Sequence, residues 1–280
     1  QSGSLVAQDY ELVQQLVCGI QPAAHDSGYS PWTATRQDFF GDLRTRQAVA
    51  ACLTAEPIAS EILGAKLPDG FNLPEFASWG SVEQAQALLD EIGWLRDEAQ
   101  PNGPRVATGV ENVLDGTVFS VNLLSGTSAM DREVSQAVVR RLGQCGIQAT
   151  PQVLPAAELY APGPQGPLFG RNFDLALVSW QQNHGNACEL YRSDVIPNSG
   201  NYWIGTNLAG LADAGFDAQC VATGNAELAR TLTESKDLMA EFLPAIPLMP
   251  QIALWAVSNR VDLAGGNTFE DIWFWRLVLP

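Results

Sequence analysis

Side chains able to do chemistry are sparse in this chain and fall into two clusters. The first is Trp180, Asn183 and His184, where the apolar run FDLALVSW gives way to QQNHGN. The second is NYWIGTN, which carries Asn201, Tyr202, Trp203 and Asn207. Indole and phenol faces stack on flat ligand surfaces, and carboxamides both donate and accept hydrogen bonds. That mix suits reversible capture of a sugar or a peptide. Each cluster also has a plain structural reading: Trp180 as a core aromatic, the asparagines as turn formers in a packed loop. Catalysis fits worse. The two histidines, His25 and His184, are far apart, with no Ser/His/Asp order, paired carboxylates or HExxH-type spacing around them. His184 beside a nearby acid is the only basis for an alternative, a hydrolase or transferase on an α/β scaffold.

The five cysteines, Cys18, Cys52, Cys145, Cys188 and Cys220, form no CxxC pair and have no histidine at ligand spacing, which argues against a metal site. Their odd number leaves at least one thiol outside any internal bridge. Cys52 and Cys145 fall on apolar helix faces, either bridged to each other or buried as free thiols. GVENVLDG and AGGN are glycine turns without a phosphate-loop context, so no cofactor is expected. A net charge of −16 repels nucleic acid and anionic membrane surfaces. With 280 residues, 46% of them hydrophobic and 16% charged, the chain can bury a large core. No apolar run reaches the roughly 20 residues of a spanning helix, and QSGSLVAQDYELVQQL lacks the basic and apolar regions of a signal peptide.

These side chains need elements to hold them. Residues 1–37 read as a short helix or strand followed by the turn-rich HDSGYSPWTATRQ. Residues 42–64 read as helix, with Pro57 placed to start a second turn. A helix over Ser81–Ile92, capped by Ser81, follows a Pro/Gly loop. Thr117–Leu124 and Ile147–Leu154 read as strands around the helix Asp131–Cys145, whose stripe is Val134, Val138, Leu142 and Cys145. This β-α-β order is that of a parallel crossover. A third strand, Phe173–Trp180, leads into a long loop, 181–210. A helix over Ala226–Phe242, started at Asn225 and stopped by Pro244, comes next, then a strand over Ile246–Val257 and an aromatic tail. The fold class is α/β with a mixed sheet.

Taken in order, several pieces resemble one family. They are DLRTRQAVAACLTAEPIASEIL, AQALLDEIGW, REVSQAVVRRLGQCGIQATPQVLPAAEL, GRNFDLALVSW, NYWIGTNLAGLADAGFDAQC and LARTLTESKDLMAEFLPAIPLMP. From about Cys18 onward the chain is similar to the C-terminal half of family 5 extracellular solute-binding proteins, the peptide, nickel and oligosaccharide receptors of ABC importers. The GPLFGRNFDLALVSW block is closest to a cysteine-containing, Chloroflexi-like branch. The resemblance implies a periplasmic-binding-protein-like (type II) lobe, a mixed sheet flanked by helices, plus terminal strands belonging to the other lobe. It implies a division into 1–37 (terminal segment of the N-terminal lobe and hinge), 38–245 (ligand-binding lobe) and 246–280 (return segment). It also implies a non-enzymatic receptor, extracellular or periplasmic and lipid-anchored in a full-length protein about twice as long. Its partners would be a small-molecule or peptide ligand and an importer permease, with no nucleic acid. Terminal strands short of partners would favour self-association.

In the family, the tryptophan matching Trp180 and the loop after it face the cleft. Peptide receptors commonly place an aspartate three residues later, against the ligand α-amino group, and here that position is Asn183. Ligand-binding residues on this basis are Trp180, Asn183, His184, Asn201, Tyr202, Trp203 and Asn207. The same branch implies a Cys188–Cys220 bridge, beside which Cys52 and Cys145 could form a second. Arg44, Arg46 and Gln47 read as surface or interlobe contacts.

Overall fold

Period-two and period-3.6 patterns resolve into one five-stranded mixed sheet with helical layers on both faces. The computed structural model describes residues 3–20, 37–54, 56–63, 78–97, 100–101, 103–181, 187–224, 237–258, 261–262 and 276–277. Within them, β1 (Gly3–Cys18) leads to α1 (Leu43–Thr54), α2 (Ile58–Leu63) and α3 (Val82–Ile92). A small ribbon follows, β2 (Trp94–Leu95) with β3 (Val106–Ala107). The crossover unit is β4 (Ser120–Ser125), α4 (Ala129–Gln144) and β5 (Gln148–Val153). Then come α5 (Ala156–Leu159), β6 (Leu175–Gln181), α6 (Ala214–Gly224) and β7 (Ala245–Ser258), with a short ribbon of β8 (Val261–Asp262) and β9 (Arg276–Leu277).

The helices form where the sequence supplies both a stripe and an end. In α3 the stripe is Ala85, Leu89 and Ile92, all buried. Ser81 and Gln84 close a capping box at its start, and Gly93 at φ +109° ends it in the left-handed region. A Cβ on Gly93 would sit 2.3 Å from the carbonyl oxygen of Thr108, so only glycine fits there. In α4, Ser128 caps the first turn by accepting from the Asp131 amide, and Val134, Ala137, Val138 and Leu142 face the core.

The strand order is β5-β4-β6-β1-β7. β4 runs parallel to both β5 and β6, whereas β1 is antiparallel to β6 and to β7. β6 is buried on both faces: Leu175 and Leu177 join the core under α1–α4, while Ala176 and Val178 join the core shared with Leu159, Tyr191 and Phe216. Prolines within the described sheet are confined to its two edge strands, Pro151 in β5 and Pro247 and Pro250 in β7, where a residue without an N–H is best tolerated. β1 pairs with β6 from Leu12 to Cys18 and on both sides from Val13 to Val17, and from Gly3 to Asp9 it pairs with β7 alone. The two terminal strands are thus each other's partner.

Two buried arginines hold the first layer together. Arg105 donates from Nε to Cys145 O (2.7 Å), and from its terminal nitrogens to Trp94 O, Gln86 O and the Asp90 carboxylate. Arg46 donates to the carbonyls of Phe40 (2.6 Å), Gly41 (3.0 Å), Phe242 (2.9 Å) and Leu243 (3.2 Å). The surface or interlobe reading of Arg46 is therefore corrected. Its guanidinium lies under α1 and satisfies chain ends on both sides, a task that a charge pattern does not reveal. Arg44 stays at the surface, paired with Asp42. The sequence reading also passed over α6, a glycine-rich helix whose start is marked by Asp213, which accepts from the amides of Gly215 and Phe216. Of the helix expected over Ala226–Phe242, residues 237–242 are helical and residues 226–236 lie outside the described residues.

Candidate functional site

In α/β sheets, ligands collect beyond the carboxyl ends of parallel strands. Here those ends belong to β4, β5 and β6, and a cleft of about 190 Å³ opens beside β4 and β6. It is lined by Gly126, Thr127, Ser128 and Asp131 from the turn into α4, by Leu159 and Tyr160 around α5, and by Leu177 and Ser179 of β6. Asp131 is the one charged residue of the lining. Its Oδ2 accepts from Ser128 Oγ at 2.6 Å and its Oδ1 from Gln14 Nε2 of β1 at 2.8 Å. Gly126 is required by this arrangement, since a Cβ there would lie 2.4 Å from Asp131 Oδ2. Burial raises the Tyr160 hydroxyl pKa, and the Asp131 charge adds to the rise. Ser179 Oγ accepts from Gln251 Nε2 at 2.8 Å, which ties the cleft wall to β7. Gln14 is 1% exposed, and its Oε1 has no hydrogen-bond partner among the described residues.

The residues singled out in the sequence are dispersed. Trp180 follows Ser179 and points to the opposite face of β6, where it packs half-buried on the second core. Asn183 and His184 lie outside the described residues. Asn201 closes a capping box with Asn198, accepting from the Asn198 amide (2.9 Å) and donating to Ile196 O (2.8 Å). Asn207 is fully buried: its Nδ2 donates to the carbonyls of Tyr191, Arg192 and Leu211, and its Oδ1 accepts from Gly210 N. Both amides hold the loop in shape. Trp203 closes on Gly163, where a Cβ would meet the indole at 2.5 Å. Tyr202 stands out to solvent at 83% exposure, and Tyr202 and Trp203 both adopt positive φ, +56° and +60°. The loop holds that strained pair in place by the asparagine bonds around it.

Sequence reasoning missed Gln14, Ser128, Asp131, Tyr160 and Ser179. The available signal was SGTSAMD: a serine cap with an acid three residues on, directly after a strand of a parallel crossover. Cys188–Cys220 and Cys52–Cys145 are bonded, with Cα separations of 5.8 and 6.4 Å, and Cys18 is a buried free thiol. Among the described residues no group of three His, Cys, Asp or Glu side chains is placed to hold a metal ion. No described helix is long and apolar enough to cross a membrane.

Comparison with solved structures then decides the fold. The chain matches the oligopeptide-binding protein of Thermus thermophilus, solved with a pentapeptide, at a TM-score of 0.69 and 18% identity over 92% of this chain and 44% of that one. The fold is periplasmic-binding-protein-like. NikZ of Campylobacter jejuni, solved with Ni(L-His), matches at a TM-score of 0.66 and 14% identity, over 94% of this chain and 49% of that one. Among curated proteins, an uncharacterized lipoprotein of Mycobacterium tuberculosis is 26% identical over 97% of this chain and 46% of its own length. The chain thus spans about half the length of the relatives it matches. No protein-family model matches it.

Proposed function

We propose that this chain is the C-terminal lobe of the substrate-binding component of an ABC importer. In this reading it captures a peptide-like or other small polar solute between two lobes that close on a hinge. The observation that carries the reading is a spatial one. The cleft at the carboxyl ends of β4 and β6 lies in a fold shared with the peptide- and nickel-complex-binding proteins, and the match covers about half of each. Residues 38–245 form the lobe, and 1–37 and 246–280 lead toward the other one. The two disulfides and the lipoprotein relatives support a site outside the cytoplasm, with a lipid anchor on the full-length protein and an importer permease as partner. Two bridges beside a lone buried thiol support the cysteine-containing branch, while the curated relative quoted is mycobacterial. Trp180 on β6, Asn183 and His184 next to it in the sequence, and the exposed Tyr202 stay the candidate ligand contacts.

The test is the solute itself. The full-length protein is purified without refolding, denatured, and the released small molecules are identified by mass spectrometry. The expected result is one class of polar solute near one molecule per protein, and only weak binding of that solute by the 280-residue chain alone. A full-length protein that releases nothing beyond a denatured control would overturn the reading.

A further inference from the structure

Two glutamines stand behind the cleft beside β4 and β6, one on each terminal strand. Gln14 of β1 donates from Nε2 to Asp131 Oδ1 at 2.8 Å, and Gln251 of β7 donates from Nε2 to Ser179 Oγ at 2.8 Å. Asp131 and Ser179 line the cleft, whereas neither glutamine does. The β1–β7 ladder is irregular at the same two places. It shifts register between Asp9, opposite Ile252, and Val13, opposite Pro250, and Gln251 is the β7 residue inside that step. It shifts again between Gln14, opposite Met249, and Gln15, opposite Pro247. Irregular ladders re-aim side chains and gather beside functional sites. Stability alone does not account for Gln14. Turning its amide would set oxygen against the Asp131 carboxylate, so Oε1 is left buried without a partner among the described residues. An unmet buried acceptor costs stability, and a methionine of similar length would keep the packing without it.

From this placement we infer that Gln14 and Gln251 are positioning residues for solute capture. They tie the polar wall of the cleft, through Asp131 and Ser179, to the terminal strand pair Gly3–Asp9 and Ile252–Ser258. The inference rests on the receptor reading, in which that pair leads toward the other lobe, and adds the residues through which cleft and pair communicate. A solute bonded to Asp131 or Ser179 alters the two glutamine bonds. A change in the pairing of β1 with β7 moves the wall in turn, because coupling between sites is reciprocal.

Amide hydrogen exchange in the 280-residue chain tests the link without a solute. Asp131→Ala removes the acceptor of Gln14, keeps Ser128 as the cap and puts a strong helix former in the first turn of α4. It is expected to speed exchange of the protected amides between Leu5 and Asp9 by about threefold or more. In a Gln14→Met background the same substitution is expected to leave them unchanged. Ser179→Ala set against Gln251→Met, read at the amides from Ile252 to Ser258, forms the parallel cycle. Gln14→Met itself should melt no lower than the parent chain, a result that a purely structural role would not give. If Asp131→Ala leaves the Leu5–Asp9 amides as they were, or speeds them equally in the Gln14→Met background, the inference is wrong. A Gln14→Met chain that melts well below the parent marks Gln14 as structural and overturns it too. In the full-length protein, Gln14→Met with Gln251→Met should cut the co-purified solute about tenfold. A double variant that keeps as much solute as wild type sinks the inference alone, whereas a wild type that releases none sinks the receptor reading with it.

Discussion

At the scale of single residues, buried polar groups do the organising, and hydropathy alone does not expose them. Replacing Arg46 by alanine would leave the carbonyls of Phe40, Phe242 and Leu243 without their donor. The expected loss is about 3–5 kcal/mol, read as a lower urea midpoint at unchanged slope. Cys18 behaves oppositely, as an inert core atom: burial pushes its thiol pKa up to about 12. Ellman's reagent at pH 8 should find no reactive thiol in the native, unreduced chain and one after denaturation. A native thiol titrating at that pH would contradict the burial. An unfolded thiol ionises near ~8.5. The stability due to keeping Cys18 protonated is therefore full below that pH and is lost as pH rises toward 12. The candidate loop shows the same limit of sequence reading. Asn201 and Asn207 looked like ligand contacts because carboxamides suit both ligands and turns, and only the positions of the neighbouring carbonyls decide which.

At the scale of elements, the crossover β4-α4-β5, the capped α3 and the late strand were legible because pattern and stop signals agreed there. The strand β1 and the helix α6 were not. β1 makes its contacts with strands more than 150 residues later, Cys18 opposite Leu175 and Val17 opposite Ala245, so no local window carries the information. Cross-links between elements give a further prediction. Cys52–Cys145 joins α1 to the end of α4 across 93 residues, and Cys188–Cys220 joins a 3-10 turn to α6 across 32. On a chain-entropy account the first restrains the unfolded chain by about 4–5 kcal/mol and the second by about 3–4. Replacing Cys52 and Cys145 together by alanine should lower stability by about 2–5 kcal/mol. The same change at Cys188 and Cys220 should mainly raise amide exchange in residues 187–224. Equal exchange across the whole sheet in both variants would refute that division.

At the scale of the whole molecule, charge and topology set the behaviour. A net charge of −16 makes the folded chain repel itself, and an exposed pair such as Glu61 with Arg140 is worth little against that. Raising sodium chloride from about 10 mM to about 300 mM should therefore raise the melting temperature, as screening shortens the reach of the repulsion. A fall in melting temperature would show that local ion pairs dominate instead. The pairing of β1 with β7 has a mechanical meaning as well. From Gly3 opposite Ser258 to Asp9 opposite Ile252 the two strands form a double strap, and the ladder shifts register between Asp9 and Val13 before joining the full sheet. A single tether swings in any direction. A hydrogen-bonded pair resists sliding of one strand along the other and yields most readily to torsion. Any body carried beyond that strap would be steered to turn about the strap's long axis, with the register shift as its soft point.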